Sequence, residues 1–366
     1  MTATEVGQVR DWGTRVLCAV GVPVDAAAAV TESLIFADLR GVSTHGMLRL
    51  PTYVERLRAG GINARARVRV VSDLGALVVL DADAGPGAST GVEAADLAIE
   101  RARLHGIGCV IARNANHFGA SAYFTNRMAD AGMVGLAACN TEPVMCAPFG
   151  GTPVLGTNPI AVAVPLPYDR RPQLDMATTV TSQGRLILAL HAGEDIPTGW
   201  AVDTLGRPTT SAQAGLAGAL LPVGGPKGFG LAFAVDALLA LGGASTSTHV
   251  LPLSGDPSLA QGLGHLFLAV RADATGSLDD YRRDIEDLVS AVHGSAGDLD
   301  VPAPLVPGEP ELGREQTANG LIELSPHVLG ELRLLAAAVG IPFPIPPSGA
   351  SAPALPDARA QQGGTP

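Results

Sequence analysis

The feature that most constrains the fold is an alternation of short apolar segments and helical segments between residues 68 and 140. Residues 68–71 and 76–81 are short and rich in β-branched side chains, which is typical of strands. The pattern then predicts a helix at 89–105, a strand at 106–112, a helix at 121–131 and a strand at 134–140. Strands that alternate with helices favour an α/β domain with an at least partly parallel sheet.

The segments on either side of this region are predicted mainly as helices. Apolar residues recur at helical spacing in the first 65 residues, which predicts a helical segment there. Further along, the pattern predicts strands at 160–164 and 186–189, helices at 228–241 and 278–292, and a last helix between Ser325 and Gly340. The final residues, 346–366, are rich in Pro, Ala and Gly, which predicts a disordered tail.

Composition narrows the class of partner. With 366 residues and 47% hydrophobic content, the chain can form two domains or one large domain. The net charge of −11 and the lack of basic runs argue against nucleic acid and membrane partners and favour a small-molecule substrate. Without a signal peptide or an apolar span in the sequence, a cytoplasmic location is predicted. Four separated cysteines without a CxxC pair predict free thiols and no metal site.

Residues 38–49 concentrate reactive side chains between glycines. His45 is a candidate proton donor and acceptor, because an imidazole titrates near pH ~6.5. Arg49 can hold a carboxylate through a two-pronged contact. Helical spacing would place Arg49 on the same face as His45, although Pro51 disfavours a helix there. In the alternative interpretation, the segment is a plain turn and His45 only hydrogen-bonds the backbone.

A single lysine stands out in a chain that otherwise uses arginine. Of the 24 lysines and arginines, only Lys227 is a lysine, and it lies in a glycine-rich turn that opens a predicted helix. Free backbone N–H groups at a helix N-terminus, together with an ammonium group, form a phosphate-binding arrangement. The alternative is a solvated turn in which one lysine has remained by chance.

Polar side chains also follow predicted strands elsewhere. His117 lies in residues 114–119, after a buried strand and before a helix, where α/β sheets bind ligands. Thr141 lies in a polar turn of the same kind, and residues 175–179 place the Asp175 carboxylate beside hydroxyl groups. These turns are candidate parts of one site, and the alternative for each is a solvated loop.

Standard cofactor and metal motifs are absent from the sequence. The nearest match to a dinucleotide fingerprint is Gly85, Gly87 and Gly91, but the third glycine is one place late and the next strand ends in Arg113 instead of an acid. We interpret these glycines as turn residues. Neither a GxxxxGK[ST] loop nor an HExxH zinc helix occurs, so a nicotinamide cofactor would not be held by a standard Rossmann loop.

Seven motifs, in this order along the chain, resemble one enzyme family. They are DLRGVSTHGMLRLPTYVERLRAGGIN, NANHFGASAYF, PFGGTPVLGTNPIAVAVP, LDMATT, GWAVDTLGRPTT, GGPKGFGLAFAVD and PGEPE. The family is that of the malate/L-lactate dehydrogenases unrelated to the Rossmann enzymes, with ureidoglycolate, sulfolactate, 2,3-diketogulonate and piperideine-2-carboxylate oxidoreductases among its members. The resemblance covers residues 5–345.

The resemblance implies a mixed α/β, sulfolactate dehydrogenase-like NAD(P)-binding fold. Residues 1–68 would form a helical domain joined by 310–345, and residues 69–309 would bind NAD or NADP and the substrate. It also implies a homodimer. The substrate would be a small carboxylate, and the choice between NAD and NADP stays open.

The resemblance also assigns roles to residues. His117 matches the proton acceptor, and Thr44 and His45 match a Ser-His pair that forms a relay with Asp175. Arg49 matches the substrate-carboxylate arginine, and Ser43 lies beside it on the substrate side. Residues that match cofactor contacts are Thr141, Asp175, Met176, Ala177, Lys227, Gly308 and Glu309.

Three positions depart from the family pattern. Thr44 replaces the more usual serine, Ser43 stands where an aspartate is common, and Arg185 stands where lysine is frequent. The threonine keeps the hydroxyl that the relay needs. Substrate preference therefore cannot be carried over from the resemblance.

The predicted reaction is hydride transfer between nicotinamide and a 2-hydroxy/2-oxo acid, with reduction of a cyclic imino acid as the alternative. His117 is the predicted proton carrier for an oxo acid, and His45 takes that role for an imine. Two rival classes are a hydrolase that uses Thr44, His45 and Asp175, and a catalytically silent dimeric binding protein. The hydrolase lacks a GxSxG-type elbow.

Overall fold

A seven-stranded mixed sheet forms the centre of the computed structural model, which describes residues 2–296 and 302–344. The predicted tail, 346–366, lies outside the described residues. The strands are β1 Thr2–Glu5, β2 Arg69–Asp73, β3 Leu77–Asp81, β4 Ile107–Ala115, β5 Met133–Cys139, β6 Met145–Cys146, β7 Pro153–Leu155, β8 Ile160–Ala163, β9 Gln173–Met176, β10 Ala201–Val202, β11 Pro208–Thr209, β12 Ala219–Leu220, β13 Leu263–Arg271 and β14 Leu321–Leu324. The helices are α1 Val6–Ala19, α2 Val24–Leu39, α3 Leu50–Ala59, α4 Gly87–His105, α5 Ala122–Asp130, α6 Gln183–Ala192, α7 Ala212–Ala217, α8 Pro226–Leu241, α9 Leu278–His293, α10 Glu309–Thr317 and α11 Pro326–Val339.

The predicted α/β class is confirmed, and most neighbouring strands of the large sheet are antiparallel. The strand order is β2-β3-β4-β13-β5-β8-β9, and only β3 and β4 are parallel neighbours. Strand β13 lies between β4 and β5, so that Leu268 faces Cys109 on one side and Leu136 on the other. Because β13 is antiparallel to both, β4 and β5 point in the same direction.

A second sheet of five short strands, in the order β11-β10-β12-β6-β7, lies beside helix α6. The prediction of a strand at 186–189 is wrong, because these residues belong to α6. A short apolar run fits a strand or a helix equally well. The ten residues between Ser182 and the left-handed Gly193 (φ 68°) form a helix, and Leu186 packs into the apolar cluster of the small sheet.

The two ends of the described chain meet on one side of the large sheet. Strand β1 pairs antiparallel with β14, with Ala3 opposite Glu323, and α11 contacts α1 and α3. Trp12 of α1 is fully buried, and its Nε1–H donates to the Ile341 carbonyl oxygen at 3.0 Å. Residues of α1–α3 share the largest apolar core with the sheet. No described helix has the length and apolar content to cross a membrane.

Candidate active site

The segment that carries His45 is a pair of short 3-10 turns, Ser43–His45 and Met47–Arg49, instead of one helix. Gly46 separates them in an extended conformation, where a Cβ atom would overlap the Asp38 carboxylate. The backbone N–H of Met47 donates to Asp38 Oδ2 at 2.7 Å. The carboxylate at the end of α2 therefore holds the second turn in place.

The pKa of the Asp38 carboxyl lies far above its ordinary value. Burial raises its pKa to about 7, while the hydrogen bond from Met47 lowers it. A carboxyl whose pKa is raised in the folded state weakens the fold as pH increases from its unfolded value towards its folded one. Asp38 thus costs stability from about pH 4 upwards, and the full cost is present above pH 7.

We expect Asp38→Asn to unfold at a higher temperature than the wild-type protein at pH 8, by about 2–4 °C, and by less at pH 5. The amide keeps an oxygen that accepts from Met47 and removes the buried charge. Thermal unfolding at both pH values measures the difference, with the exposed Asp11→Asn as control. An equal shift at pH 5 and pH 8 would contradict the assignment.

Thr44 and Arg49 surround the His45 ring. Thr44 Oγ1 lies 3.0 Å from His45 Nδ1, and Arg49 Nε–H donates to the Thr44 carbonyl oxygen at 2.6 Å. Burial and the nearby positive charge of Arg49 lower the pKa of His45 to about 4. His45 is therefore a neutral imidazole at neutral pH.

The turn that carries His117 follows β4, as predicted. Asn114 adopts a left-handed conformation (φ 52°), and its Nδ2 donates to Asp81 Oδ1 at 3.2 Å. Asn116 Nδ2 donates to the Ala84 carbonyl oxygen at 2.7 Å. The two asparagines therefore hold the backbone of the turn in place. The His117 side chain is not needed for these contacts.

The two imidazoles stack on each other. The ring centroids of His45 and His117 are 5.5 Å apart, with 23° between the planes. Tyr53 of α3 contributes a hydroxyl that lies 2.6 Å from His117 Nδ1. Burial, and after it electrostatic repulsion by the neighbouring groups His45, Arg49 and His265, lowers the pKa of His117 well below its ordinary value. Each imidazole is neutral and has a hydroxyl at Nδ1, which leaves Nε2 for a ligand.

Both imidazoles line a cavity of about 530 Å³. Its other walls come from the strand ends and from the chain that enters α10. The predicted site residues in the lining are His45, His117, Thr141, Asp175, Met176, Ala177 and Gly308. This volume lies within the range of cofactor and substrate pockets.

Asp175 lies on β9 at the wall of the cavity. Its Oδ2 accepts a hydrogen bond from the backbone N–H of Ala122 at 2.8 Å, which anchors the first turn of α5. The Asp175 side chain is exposed to the cavity. Desolvation by the surrounding protein raises its pKa to about 6, although the hydrogen bond from Ala122 lowers it. No hydrogen bond joins Asp175 to Thr44 or His45 in the part of the chain that the structure describes. The Thr44–His45 contact of the predicted relay is present, and Asp175 contacts α5 instead.

Other predicted residues lie outside the cavity lining. Thr44 and Arg49 lie next to the lining residue His45, since Thr44 contacts its ring and Arg49 is bound to the Thr44 carbonyl oxygen, and Ser43 is exposed at the start of the first turn. The Glu309 carboxylate pairs with His293 Nε2 at 2.8 Å and accepts from the Val306 backbone at 2.9 Å, so its side chain is already engaged.

Lys227 is exposed at the second position of α8, where the prediction of a helix start is confirmed. The next residue, Gly228, packs so closely that a Cβ would come within 2.5 Å of the Thr178 carbonyl oxygen. The N-terminus of α8 therefore lies against the chain that leaves β9, just after the cavity residues Met176 and Ala177.

Two residues of the site were missed from the sequence. Tyr53 contacts His117, and its position four residues after Arg49 on a helix was an available signal. Arg40 lines the cavity, where Gln173 Oε1 (2.5 Å), Glu315 Oε2 (3.0 Å) and the Tyr168 hydroxyl (3.2 Å) hold its guanidinium. These partners are distant in sequence, and no local pattern indicates them.

Gly308 forms part of the cavity wall next to β9. Gly308 has a φ of 92°, and a Cβ there would lie 2.8 Å from the Gln173 carbonyl oxygen, so only glycine leaves this wall of the cavity intact. A pair of imidazoles at the wall of a cavity of this size is suited to general acid–base chemistry on a bound small molecule.

Comparison with known proteins identifies the family of the chain. The sequence profile of the malate/L-lactate dehydrogenase family matches residues 5–333, and the chain belongs to this family. L-sulfolactate dehydrogenase from Methanocaldococcus jannaschii is 36% identical over 329 residues, which cover 89% of this chain and 94% of the relative. The protein is accordingly an NAD(P)-dependent oxidoreductase.

The relatives include users of both cofactors. Ureidoglycolate dehydrogenase (NAD(+)) from Escherichia coli is 35% identical over 269 residues, which cover 73% of this chain and 76% of the relative. (2R)-3-sulfolactate dehydrogenase (NADP(+)) from Chromohalobacter salexigens is 35% identical over 323 residues, which cover 87% and 93%. The choice between NAD and NADP is therefore open for this chain.

Solved structures give the same relationship for the fold. Sulfolactate dehydrogenase from Methanocaldococcus jannaschii superposes with a TM-score of 0.87 at 33% identity, covering 93% of this chain and 98% of that chain. Delta1-piperideine-2-carboxylate reductase from Pseudomonas syringae pvar. tomato superposes with a TM-score of 0.82 at 27% identity, covering 92% and 100%. The predicted sulfolactate dehydrogenase-like fold is confirmed.

Proposed function

We propose that the protein catalyses reversible hydride transfer between NAD or NADP and a small 2-hydroxy/2-oxo acid. The observation that carries this proposal is the stacked pair of neutral imidazoles, His45 and His117, at the wall of the cavity. The similarity to dehydrogenases whose names specify hydroxy acids supports the substrate class.

In this mechanism Arg49 binds the substrate carboxylate. Its Nε is held by the Thr44 carbonyl oxygen, which leaves the two terminal nitrogens for a two-pronged contact. Neutral His117 accepts the hydroxyl proton at Nε2 during oxidation and returns it to the oxygen during reduction. His45, with Nδ1 bound to Thr44, orients the reacting oxygen. The bound nicotinamide accepts or supplies the hydride.

We propose that the cofactor lies along the wall formed by β9 and the entry to α10. Thr141, Met176, Ala177 and Gly308 would contact it there, and Asp175 would orient its nearest polar group. Lys227 would reach a phosphate from the N-terminus of α8, where backbone N–H groups add to its charge. Glu309 would contribute through its backbone, because its carboxylate is engaged by His293 and Val306.

A substrate screen tests the function. The purified protein is mixed with NADH or NADPH and with pyruvate, oxaloacetate, longer and branched 2-oxo acids, diketogulonate and cyclic imino acids, and loss of the reduced nicotinamide absorbance is followed. We expect turnover with at least one 2-oxo acid. Stabilisation by cofactor without turnover of any compound would contradict the proposal and favour a silent binding protein.

Reduction of a cyclic imino acid is a second candidate, favoured by the structural similarity to a piperideine-2-carboxylate reductase. In that reaction His45 would carry the proton and His117 would orient the substrate, because the two rings have similar access to the cavity. Turnover of cyclic imino acids without turnover of any 2-oxo acid in the same screen would decide for this candidate.

We also propose that the protein is a homodimer that buries one face of α8. Phe233, Leu238 and Leu241 of this helix are 62%, 45% and 72% exposed. Its one acidic residue, Asp236, is buried, so the exposed part of α8 after Lys227 carries no charge. A second copy of this chain offers an equally uncharged face, which a twofold contact would cover.

Charges placed on this face should prevent dimer formation. We expect the double variant Phe233→Glu/Leu238→Glu to be monomeric at micromolar concentration in analytical ultracentrifugation, because pairing would bury like charges. The matched control is Leu104→Glu on α4, which is equally exposed (67%) but belongs to a different surface. A double variant with the same mass as the wild-type protein would exclude α8 as the interface.

A further inference from the structure

Tyr53 is a buried titratable group in contact with His117 that the proposed roles leave unused. It lies on α3, is 6% exposed and belongs to the principal apolar core. Its hydroxyl is 2.6 Å from His117 Nδ1, and its ring centroid lies 6.0 Å from that of His117 at an angle of 49°. The two rings are tilted and not stacked, and the hydroxyl of Tyr53 makes the contact with the imidazole.

The His117 turn is also held from the other side. The backbone N–H of His117 donates to Gln261 Oε1 at 3.0 Å, and the Gln261 N–H donates to Asn116 Oδ1 at 3.2 Å. The backbone of residue 117 is therefore fixed without Tyr53. What remains to be fixed is the rotation of the imidazole ring and the nitrogen that carries its proton, and the Tyr53 hydroxyl acts on both.

We propose that Tyr53 is a positioning residue that holds the His117 ring and selects its tautomer, so that Nε2 faces the substrate. This inference rests on the proposed role of His117 as proton carrier. When Nε2 accepts the substrate proton, Nδ1–H donates to the tyrosine oxygen. The neutral ring in the same tautomer also carries its proton on Nδ1, so that the lone pair of Nε2 is available to the substrate.

A phenol differs from a carboxylate in this position. A carboxylate at Nδ1 would stabilise the imidazolium and raise the pKa of the histidine. Burial raises the pKa of Tyr53 above its ordinary value, against the effect of Arg49, so the phenol stays neutral. The other charged or titratable groups around His117 are His45, Arg49 and His265, and Asp175 lines the same cavity. The surroundings thus favour the neutral form of His117, which is the form that can accept a proton at Nε2.

Tyr53→Phe tests the proposal, because it keeps the ring in the core and removes only the hydroxyl. We expect kcat to fall about 10–100-fold, with KM for the substrate and Kd for the cofactor within about twofold of the wild-type values. The acidic limb of the pH profile of kcat/KM should move to lower pH, since the imidazolium loses its acceptor at Nδ1. The matched control is Tyr123→Phe on α5, whose ring is only partly buried and packs on Phe36 and Phe124, away from either imidazole.

If Tyr53 has only a structural role, Tyr53→Phe will change the unfolding temperature and leave kcat and the pH profile unaltered. That result would overturn the proposal.

Nitrogen NMR of ¹⁵N-histidine-labelled wild-type protein gives a second test, which depends neither on turnover nor on the folding of Tyr53→Phe. In the wild-type protein, His117, assigned by comparison with His117→Gln, should show a single tautomer with a hydrogen-bonded Nδ1. A mixture of tautomers would also overturn the proposal. If His117→Ala retains activity, the proposed role of His117 as proton carrier fails, whereas an active Tyr53→Phe beside an inactive His117→Ala rejects this inference alone.

Discussion

Replacing His117 with alanine should lower kcat about 10²–10⁴-fold while cofactor affinity changes little. The imidazole is the proton carrier in the proposed mechanism, and general acid–base catalysis contributes about that factor. Its side chain lines the cavity from a different element than β9 and Gly308, so its loss should leave the proposed cofactor contacts of those residues in place. Steady-state kinetics and fluorescence titration with reduced nicotinamide measure the two quantities separately.

Two further histidine variants test whether the loss of activity is specific to His117. His105→Ala removes an exposed histidine in the last turn of α4 and should leave kcat unchanged. His45→Ala should lower kcat less than His117→Ala with a 2-oxo acid, and more with a cyclic imino acid. Full activity of His117→Ala with a 2-oxo acid would reject His117 as the proton carrier for that substrate class.

The sequence predicted the location of His117 but not its partner. A polar turn after a buried strand is a local pattern, and the structure has that turn at the end of β4. Tyr53 comes from a helix 64 positions earlier, and its contact depends on how α3 packs beside the sheet. Local patterns place residues on elements, whereas the contacts between elements are decided by packing.

The large sheet illustrates the same limit. The alternation of strands and helices predicted β3, β4 and β5, and β4 and β5 do run in the same direction. The sequence gives no local sign that β13, more than 120 residues after β5, separates them. This strand is apolar because both its faces are covered, so it lacks the period-2 pattern that identifies a half-buried strand.

The incorrect prediction of a strand at 186–189, residues that belong to α6, has a different cause. The apolar run of α6 contains Leu186, Ile187, Leu188 and Leu190, of which only Leu186 is buried. An apolar run normally indicates burial, and here most of it is exposed in a single chain. The apolar content of this helix therefore did not indicate burial within one chain, which is why a local pattern could not distinguish a strand from a helix here.

Replacement of Arg49 should have the second large effect, and two substitutions separate its geometry from its charge. Arg49→Lys keeps the positive charge but loses the Nε–H bond to the Thr44 carbonyl oxygen and the paired terminal nitrogens. We expect kcat/KM to fall about 10²–10³-fold, mainly through KM, because a two-pronged contact with the substrate carboxylate becomes a single one. Cofactor affinity should stay at the wild-type value.

Arg49→Gln removes the charge as well, and this has a consequence for both imidazoles. The positive charge of Arg49 contributes to the lowered pKa of His45 and of His117, in each case after burial. Without it, both pKa values rise, and the acidic limb of the kcat/KM profile should move to higher pH in Arg49→Gln but not in Arg49→Lys. The exposed Arg103→Gln on α4 is the control for a general change in net charge. Identical pH profiles for the lysine and glutamine variants would mean that Arg49 lies too far from the reacting imidazole to bind a substrate there.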